Sequence, residues 1–278
     1  MDGMVENARI GIIAQARMRS TRLPNKVLAP IGDAPLLEHL ARRLQLARET
    51  VTVVIATGDD AANQPIVALC ERVGVACFVG SEQDTLNRMI QAARHFELDA
   101  IVRVTADNPL TDPYGIDTGV RLFRAQTLDY FDNICYTGYP HGLGYEIISR
   151  RTLEFSRAQW QMTENLEHVT WALRRHISLF RHAFFEVAPE LHRPRYRLSV
   201  DHANDLELVR RVYAELNFRD DAALAEIVAF LDAHPEIVAL NAQHSGETLM
   251  TRHELENWQM PLDEATRRAW ENFAGTPS

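Results

Sequence analysis

The chain has 278 residues and a formal charge of −9, with 46% hydrophobic and 24% charged residues; that length buries a substantial core, and the balance is that of a globular protein. The acidity argues against non-specific nucleic-acid binding, and no apolar run approaches the roughly 20 residues of a membrane span. The start MDGMVENARIG lacks the basic-then-apolar pattern of a signal peptide, and Cys70, Cys77 and Cys135 are odd in number with no C-x-x-C pair, so no disulfide framework or thiolate zinc site is expected and a cytoplasmic location is.

Residues 9–14 (RIGIIA) predict a buried strand, and residues 35–47 (PLLEHLARRLQLA) a helix with Pro35 near its first turn. Residues 51–56 (VTVVIA) predict a second strand, followed by a helix over about 61–72. A third strand at 75–79 precedes a helix over 84–96 that Asp84 is placed to cap. Residues 100–105 (AIVRVT) form a fourth strand ending at the turn Asp107-Asn108-Pro109. Alternating β and α elements with nearly continuous apolar strands predict an α/β fold with a mainly parallel sheet covered on both faces.

Beyond about residue 126 the rhythm changes. Strand-like runs at 128–134 and 145–148 flank the Gly-rich turn 139–144, and helical stretches follow at 151–160 and 165–176. Further strand-like runs lie at 180–187 and 196–200, with Asp201 immediately after the second. A helix over 203–216 and a short one over about 222–234 precede a polar tail, 241–278, holding Trp258 and Trp270. The expected organisation is one domain over 1–240, with an inserted lobe at about 126–187, and the tail.

Ligands of open parallel sheets bind where loops leave the carboxyl ends of the strands. Residues 15–26 (QARMRSTRLPNK) occupy that place after the first strand and gather Arg17, Arg19, Arg22 and Lys26 in an acidic chain. Arg offers a planar fork for phosphate oxygens and Lys a mobile point charge; Gln15, Ser20 and Thr21 add polar groups, and Pro24 limits the flexing of the loop. A nucleoside triphosphate is the ligand this composition fits, although neither the P-loop nor the dinucleotide fingerprint is present. Asp107 leaves the fourth strand at the same sheet edge, and Asp201 follows a later strand-like run. Two carboxylates and triphosphate oxygens suit Mg²⁺; capping of the following turn or helix is the other reading open for each Asp.

Residues 15–28 (QARMRSTRLPNKVL) resemble the signature of the spore-coat polysaccharide F-type cytidylyltransferases, relatives of CMP-KDO and CMP-sialate synthetases. Further matches follow in order: 80–86 (GSEQDTL), 102–112 (VRVTADNPLTD), 167–170 (EHVT) and 200–210 (VDHANDLELVR). The resemblance covers residues 9 to about 240. It implies the α/β three-layer sandwich of nucleotide-diphospho-sugar transferases, often dimeric through the inserted lobe. It also implies transfer of CMP from CTP to an anionic small-molecule acceptor with release of pyrophosphate, Mg²⁺ as cofactor, and a homodimer. By the same resemblance Arg17, Ser20, Arg22 and Lys26 match triphosphate-binding positions, and Asp107 and Asp201 match metal-binding aspartates. Gly80, Ser81 and Asp84 fall where the family meets the base and ribose.

The chain departs from the family where Arg19 and Asn25 replace Gly, and in 140–146 (PHGLGYE), where the family reads P-D-G-L-D-x-E. Of those three acidic positions only Glu146 remains, which leaves the acceptor open. Arg19 either adds a phosphate contact or turns outward. Two other functions compete: a glycosyltransferase of the same fold, against which the absence of any Asp-x-Asp counts, and a non-catalytic nucleotide-binding relative. His141 and His168 are read as structural histidines rather than bases.

Overall fold

The structure is a computed structural model that describes residues 8–133, 138–185, 187–245 and 258–275. Cys135 and the last residue of the predicted 128–134 strand lie outside the described residues. Strand β1 (Ile10–Ala16) sits at the centre of a seven-stranded sheet, paired in parallel with β4 (Val53–Gly58) on one side and β6 (Ala100–Thr105) on the other. Between β1 and β4 lie a small hairpin, β2 (Pro30–Ile31) and β3 (Ala34–Pro35), and helix α1 (Leu36–Leu44). Helix α2 (Gln64–Val73) leads to β5 (Ala76–Gly80), parallel to β4, and α3 (Thr85–His95) leads to β6. Helix α4 (Pro113–Ala125) precedes β7 (Tyr130–Asp132) and β8 (Glu146–Ser149). Then come α5 (Arg150–Gln159), α6 (Thr163–His168), α7 (Trp171–Arg175) and β9 (His182–Phe184). The sheet order is β5-β4-β1-β6-β8-β7-β9, so segment 126–187 continues the main sheet through an antiparallel β8. Helices α8 (Ala203–Glu215) and α9 (Leu224–Ala233) and a tail helix α10 (Glu264–Gly275) complete the elements used below.

The period-2 geometry of β1 divides its apolar residues between two cores. Ile10, Ile12 and Ala14 pack with α1, α2 and α4 residues such as Leu40, Ile66 and Ile116, while Ile13 packs on the other face with Met89 and Ile90 of α3 and Leu153 of α5. A strand buried on both faces reads as a continuous apolar run, which is why RIGIIA was legible. A third cluster, built on α8 and α9, takes in Ile31, Leu36, Leu198 and Val200. Arg43 of α1 is fully buried and donates to the carbonyls of Leu110, Thr111, Asp220 and Ala222, tying the turn after β6 to the α8–α9 connection. No helix among the described residues is long and apolar enough to cross a membrane.

Several elements differ from the sequence expectation. Helix α4 was not anticipated, because Gly115 and Gly119 dilute its helical pattern; a Cβ at Gly119 would lie 2.5 Å from the Tyr145 hydroxyl, so close packing demands the glycine. The predicted 165–176 helix is two short ones, broken at Val169, whose φ is 60°. Residues 196–200 are not a ladder strand. Their polar backbone groups bond to loops instead, through Tyr196 O with His141 N, Leu198 N with His141 O and Val200 N with Asp107 O. Gly142 (φ 98°) permits that approach, since a Cβ there would meet the Ser199 nitrogen at 2.2 Å.

The tail holds α10, whose Trp270 is buried edge-on against Phe155 and Phe180 at 5.1 and 5.0 Å between ring centroids. Trp258 covers the Arg175 guanidinium together with Trp171. Trp270→Ala is expected to lower stability by about 3 kcal/mol, as for other buried aromatics; urea unfolding measures it, and a loss below about 0.5 kcal/mol would show that the tail does not stabilise the domain.

Candidate active site

Strands β1 and β6 end side by side, with Gln15 opposite Thr105 in the ladder, so the chains leaving them enter one space. That space is an open cavity of about 770 Å³. Gln15, Arg17, Ser20, Thr21, Arg22 and Lys26 line it, with Asp107 and Asp201. Gln15 belongs to β1 rather than to the loop, and its side-chain oxygen accepts from Arg103 Nε at 3.1 Å.

Lys26 is the hub. Its ammonium lies 2.8 Å from Asp107 Oδ2 and 2.7 Å from Asp201 Oδ1, and Arg22 reaches the same Asp201 oxygen at 2.6 Å. Arg197 takes the other oxygen, Oδ2, at 2.6 Å. Asp205 fixes the segment from behind, accepting from the backbone N–H groups of Asp201 and His202 and from Arg197 Nε, and Asn241 donates to Asp205 in turn. Burial works to raise the Asp201 pKa, but the bonds and charges of Lys26, Arg22 and Arg197 outweigh it and hold the group below the usual carboxylate value.

The loop conformation follows from its residues. Asn25 is left-handed (φ 59°), a conformation Asn tolerates better than most residues, and it starts the helical turn at Lys26–Leu28. Arg19 is not left-handed; its guanidinium turns to Asp60 at 2.7 Å, while the Met18 N–H donates to Asn63 at 2.9 Å. The loop after β1 is thereby latched to the loop after β4. Arg17 pairs with Glu167 at 3.4 Å, both half-exposed.

Gly80, Ser81 and Asp84 are not among the residues that line the cavity. Asp84 caps α3 through the Asn87 N–H and pairs with Arg157, and the Ser81 hydroxyl accepts from the Asp84 N–H. Their neighbours Thr85 and Arg88, one turn further along α3, face the space instead, and the ordered match at 80–86 was the signal that pointed near them. Sequence reasoning also missed Glu167 and His168 as lining residues, although both lie in the EHVT match. His141 stands where the family reads Asp, yet it does not line the cavity; burial and the Arg197 charge hold its imidazole below the usual histidine pKa.

Beneath the cavity a buried ionic group ties the sheet together. Glu146, wholly buried on β8, accepts from Arg103 and from the Tyr130 hydroxyl and faces Arg174 at 2.9 Å. Arg103 also carries the bond to Gln15, so this group supports the floor of the site. Among the described residues no cluster of three or more His, Cys, Asp or Glu side chains could hold a metal. The donors that converge on one cation are Asp107 and Asp201, with the Lys26 ammonium standing in that position. Two carboxylates completed by phosphate oxygens and water fit Mg²⁺.

The family model described as cytidylyltransferase matches residues 10–230. The spore coat polysaccharide biosynthesis protein SpsF of Bacillus subtilis (strain 168) is 33% identical over 229 residues, covering 81% of this chain and 94% of its own. The 8-amino-3,8-dideoxy-manno-octulosonate cytidylyltransferase of Shewanella sp. (strain W3-18-1) is 27% identical over 144 residues, 51% of this chain and 56% of that one. Among solved structures, a cytidylyltransferase from Leptospira borgpetersenii is 27% identical with a TM-score of 0.79, covering 84% of this chain and 97% of that one. CMP:2-keto-3-deoxy-manno-octonic acid synthetase in complex with CTP, at 20% identity and a TM-score of 0.58 over 75% of this chain and 100% of that one, shares the fold.

Glu146 provides a pH test. Burial opposes its charge, but Arg174, Arg103 and the Tyr130 hydroxyl bring its pKa from 4.5 down to about 2. Its stabilisation is therefore complete above pH 4.5 and is lost as pH falls towards about 2. Glu146→Gln is expected to be destabilised at pH 6 and to lose less further stability on acidification than the parent chain. Parallel pH curves from urea titrations would exclude Glu146 as a source of acid sensitivity.

Proposed function

This chain belongs to the cytidylyltransferase family, and from that premise we propose that it transfers CMP from CTP to an anionic acceptor, an acidic sugar or a related compound, releasing pyrophosphate. The observation that carries the proposal is the convergence of Arg17, Arg22 and Lys26 with Asp107 and Asp201 in one cavity at the ends of β1 and β6. A role in making a surface polysaccharide is supported by the likeness to the spore coat protein.

Nucleotidyl transfer depends on positioning and on neutralising charge at the phosphates. On entry of the triphosphate, Lys26 and Arg22 exchange a carboxylate partner for phosphate oxygens, with Arg17 and the hydroxyls of Ser20 and Thr21 as further donors. The acceptor oxygen then attacks the α-phosphorus in line, and these cations stabilise the departing pyrophosphate. Asp107 and Asp201, released from Lys26, are the residues that would hold Mg²⁺, which supplies charge neutralisation at the phosphate oxygens. Arg197 keeps Asp201 oriented throughout, because it binds the oxygen that Lys26 does not. We assign the acceptor and the pairing of two copies in a homodimer to segment 126–187, in line with the family resemblance.

The test is a pyrophosphate-release screen of the four nucleoside triphosphates against a panel of anionic acceptors. The panel starts with 2-keto-3-deoxy-manno-octonic acid and its 8-amino-3,8-dideoxy relative. CTP is expected to be the preferred donor. Lys26→Ala and Asp107→Asn are each expected to lower release by about 100-fold or more while the circular dichroism stays that of the parent chain. Full turnover by either variant would remove its assigned role.

A further inference from the structure

His168 ends α6 and lines the cavity that holds Lys26 and Asp107. The residue after it, Val169, is fully buried with φ 60° and ψ −53°. A β-branched residue keeps such a backbone only where its surroundings enforce it. They do so here. Asn165, itself buried, accepts from the backbone N–H groups of Val169 and Ala172 and donates to the Trp160 carbonyl, so it grips both sides of the bend. The Thr170 N–H donates to the His168 carbonyl at 2.6 Å, and the Thr170 hydroxyl donates to Glu146. The strained bend buries Val169 and leaves the His168 ring exposed in the cavity.

In the free protein the other ionisable lining groups are donors or are held in ion pairs. Arg17, Arg19, Arg22, Lys26 and Arg88 are donors. Asp107, Glu167 and Asp201 each face a cation, Lys26, Arg17, and Lys26 with Arg22. The charged residues on the elements next to His168 are Glu164 and Glu167 on its own helix, Arg17 of the loop and Arg88 of α3, which packs against α6, in the same cavity lining, and Arg174 on α7. Imidazole is the side chain best suited to take up a proton near neutral pH.

Building on the cytidylyl-transfer reading, we propose that His168 accepts the proton of the acceptor's attacking hydroxyl. As the O–H bond breaks, its electron pair forms the new bond to the α-phosphorus; the bond from that phosphorus to the bridging oxygen breaks, and its pair leaves with pyrophosphate. The proton moves to an imidazole nitrogen and passes to solvent before the next turnover. Val169 and Asn165 are positioning residues for this group.

The experiment compares the full chain with His168→Gln and His168→Ala, using CTP, Mg²⁺ and whichever of the two octulosonate acceptors gives the faster pyrophosphate release. The expected result is a fall in kcat of about 100-fold or more with the KM for CTP within about twofold. The parent chain should show an acidic limb in kcat against pH that His168→Gln lacks, and added imidazole should restore part of the His168→Ala rate. A variant within about threefold of the parent in kcat, with the same pH limb, overturns the proposal; so does a loss confined to the KM for CTP. Silence of the parent chain with both acceptors instead removes the cytidylyl-transfer reading for them and this inference with it.

Discussion

The Lys26 ammonium, held between Asp107 and Asp201, is the interaction on which the site depends. It joins the loop after β1, the turn after β6 and the segment that enters α8, three parts of the chain that the sequence separates widely. Two carboxylates that approach one point repel each other, and a cation between them relieves that repulsion. The cluster therefore balances the charge of the two carboxylates at the sheet edge. A triphosphate brings its own negative charge for the lysine, which is why an arrangement that stabilises the free protein also fits a nucleotide.

Support for that cluster comes from buried charge at two levels. Arg197, Asp205 and Asn241 orient Asp201 from behind, while Arg103, Glu146 and Arg174 brace the sheet under Gln15. Buried ion pairs add little net stability, but losing one partner leaves a charge stranded in the interior. Their consequence here is geometric: each fixes the direction of a group that faces the cavity. Asn241 lies beyond the 10–230 family match, so the C-terminal part of this chain contributes to the orientation of Asp201.

The departures from the family signature have separate physical outcomes. Asn25 adopts the left-handed backbone that a glycine would, so the turn into Lys26 is kept. Arg19 leaves the lysine cluster alone and pairs with Asp60, a surface contact of the kind worth about 0–1 kcal/mol. His141 stands where the family signature has an acid, and its backbone bonds to Tyr196 and Leu198 in the segment that leads to Asp201. The acidic character of that segment is reduced while its architectural part persists.

The sequence by itself determined the alternating strands and helices of the first half, the basic loop, and Asp107 just beyond the end of β6, because apolar periodicity and strand-end position are local properties of the chain. It also placed the cap of α3 at Asp84, a three-residue matter. Local pattern was insufficient where a partner far along the chain decides the outcome. Helix α4 tolerates Gly119 because Tyr145 packs against it, and 196–200 is not a strand because His141 and Asp107 take its backbone bonds. Thr85, Arg88, Glu167 and His168 join the cavity for the same reason: the packing of α3 on the sheet and of α6 on α3 brings them there. Only the tertiary structure decided that Asp107 and Asp201 share one lysine, since their meeting needs 93 intervening residues to fold back to the same sheet edge.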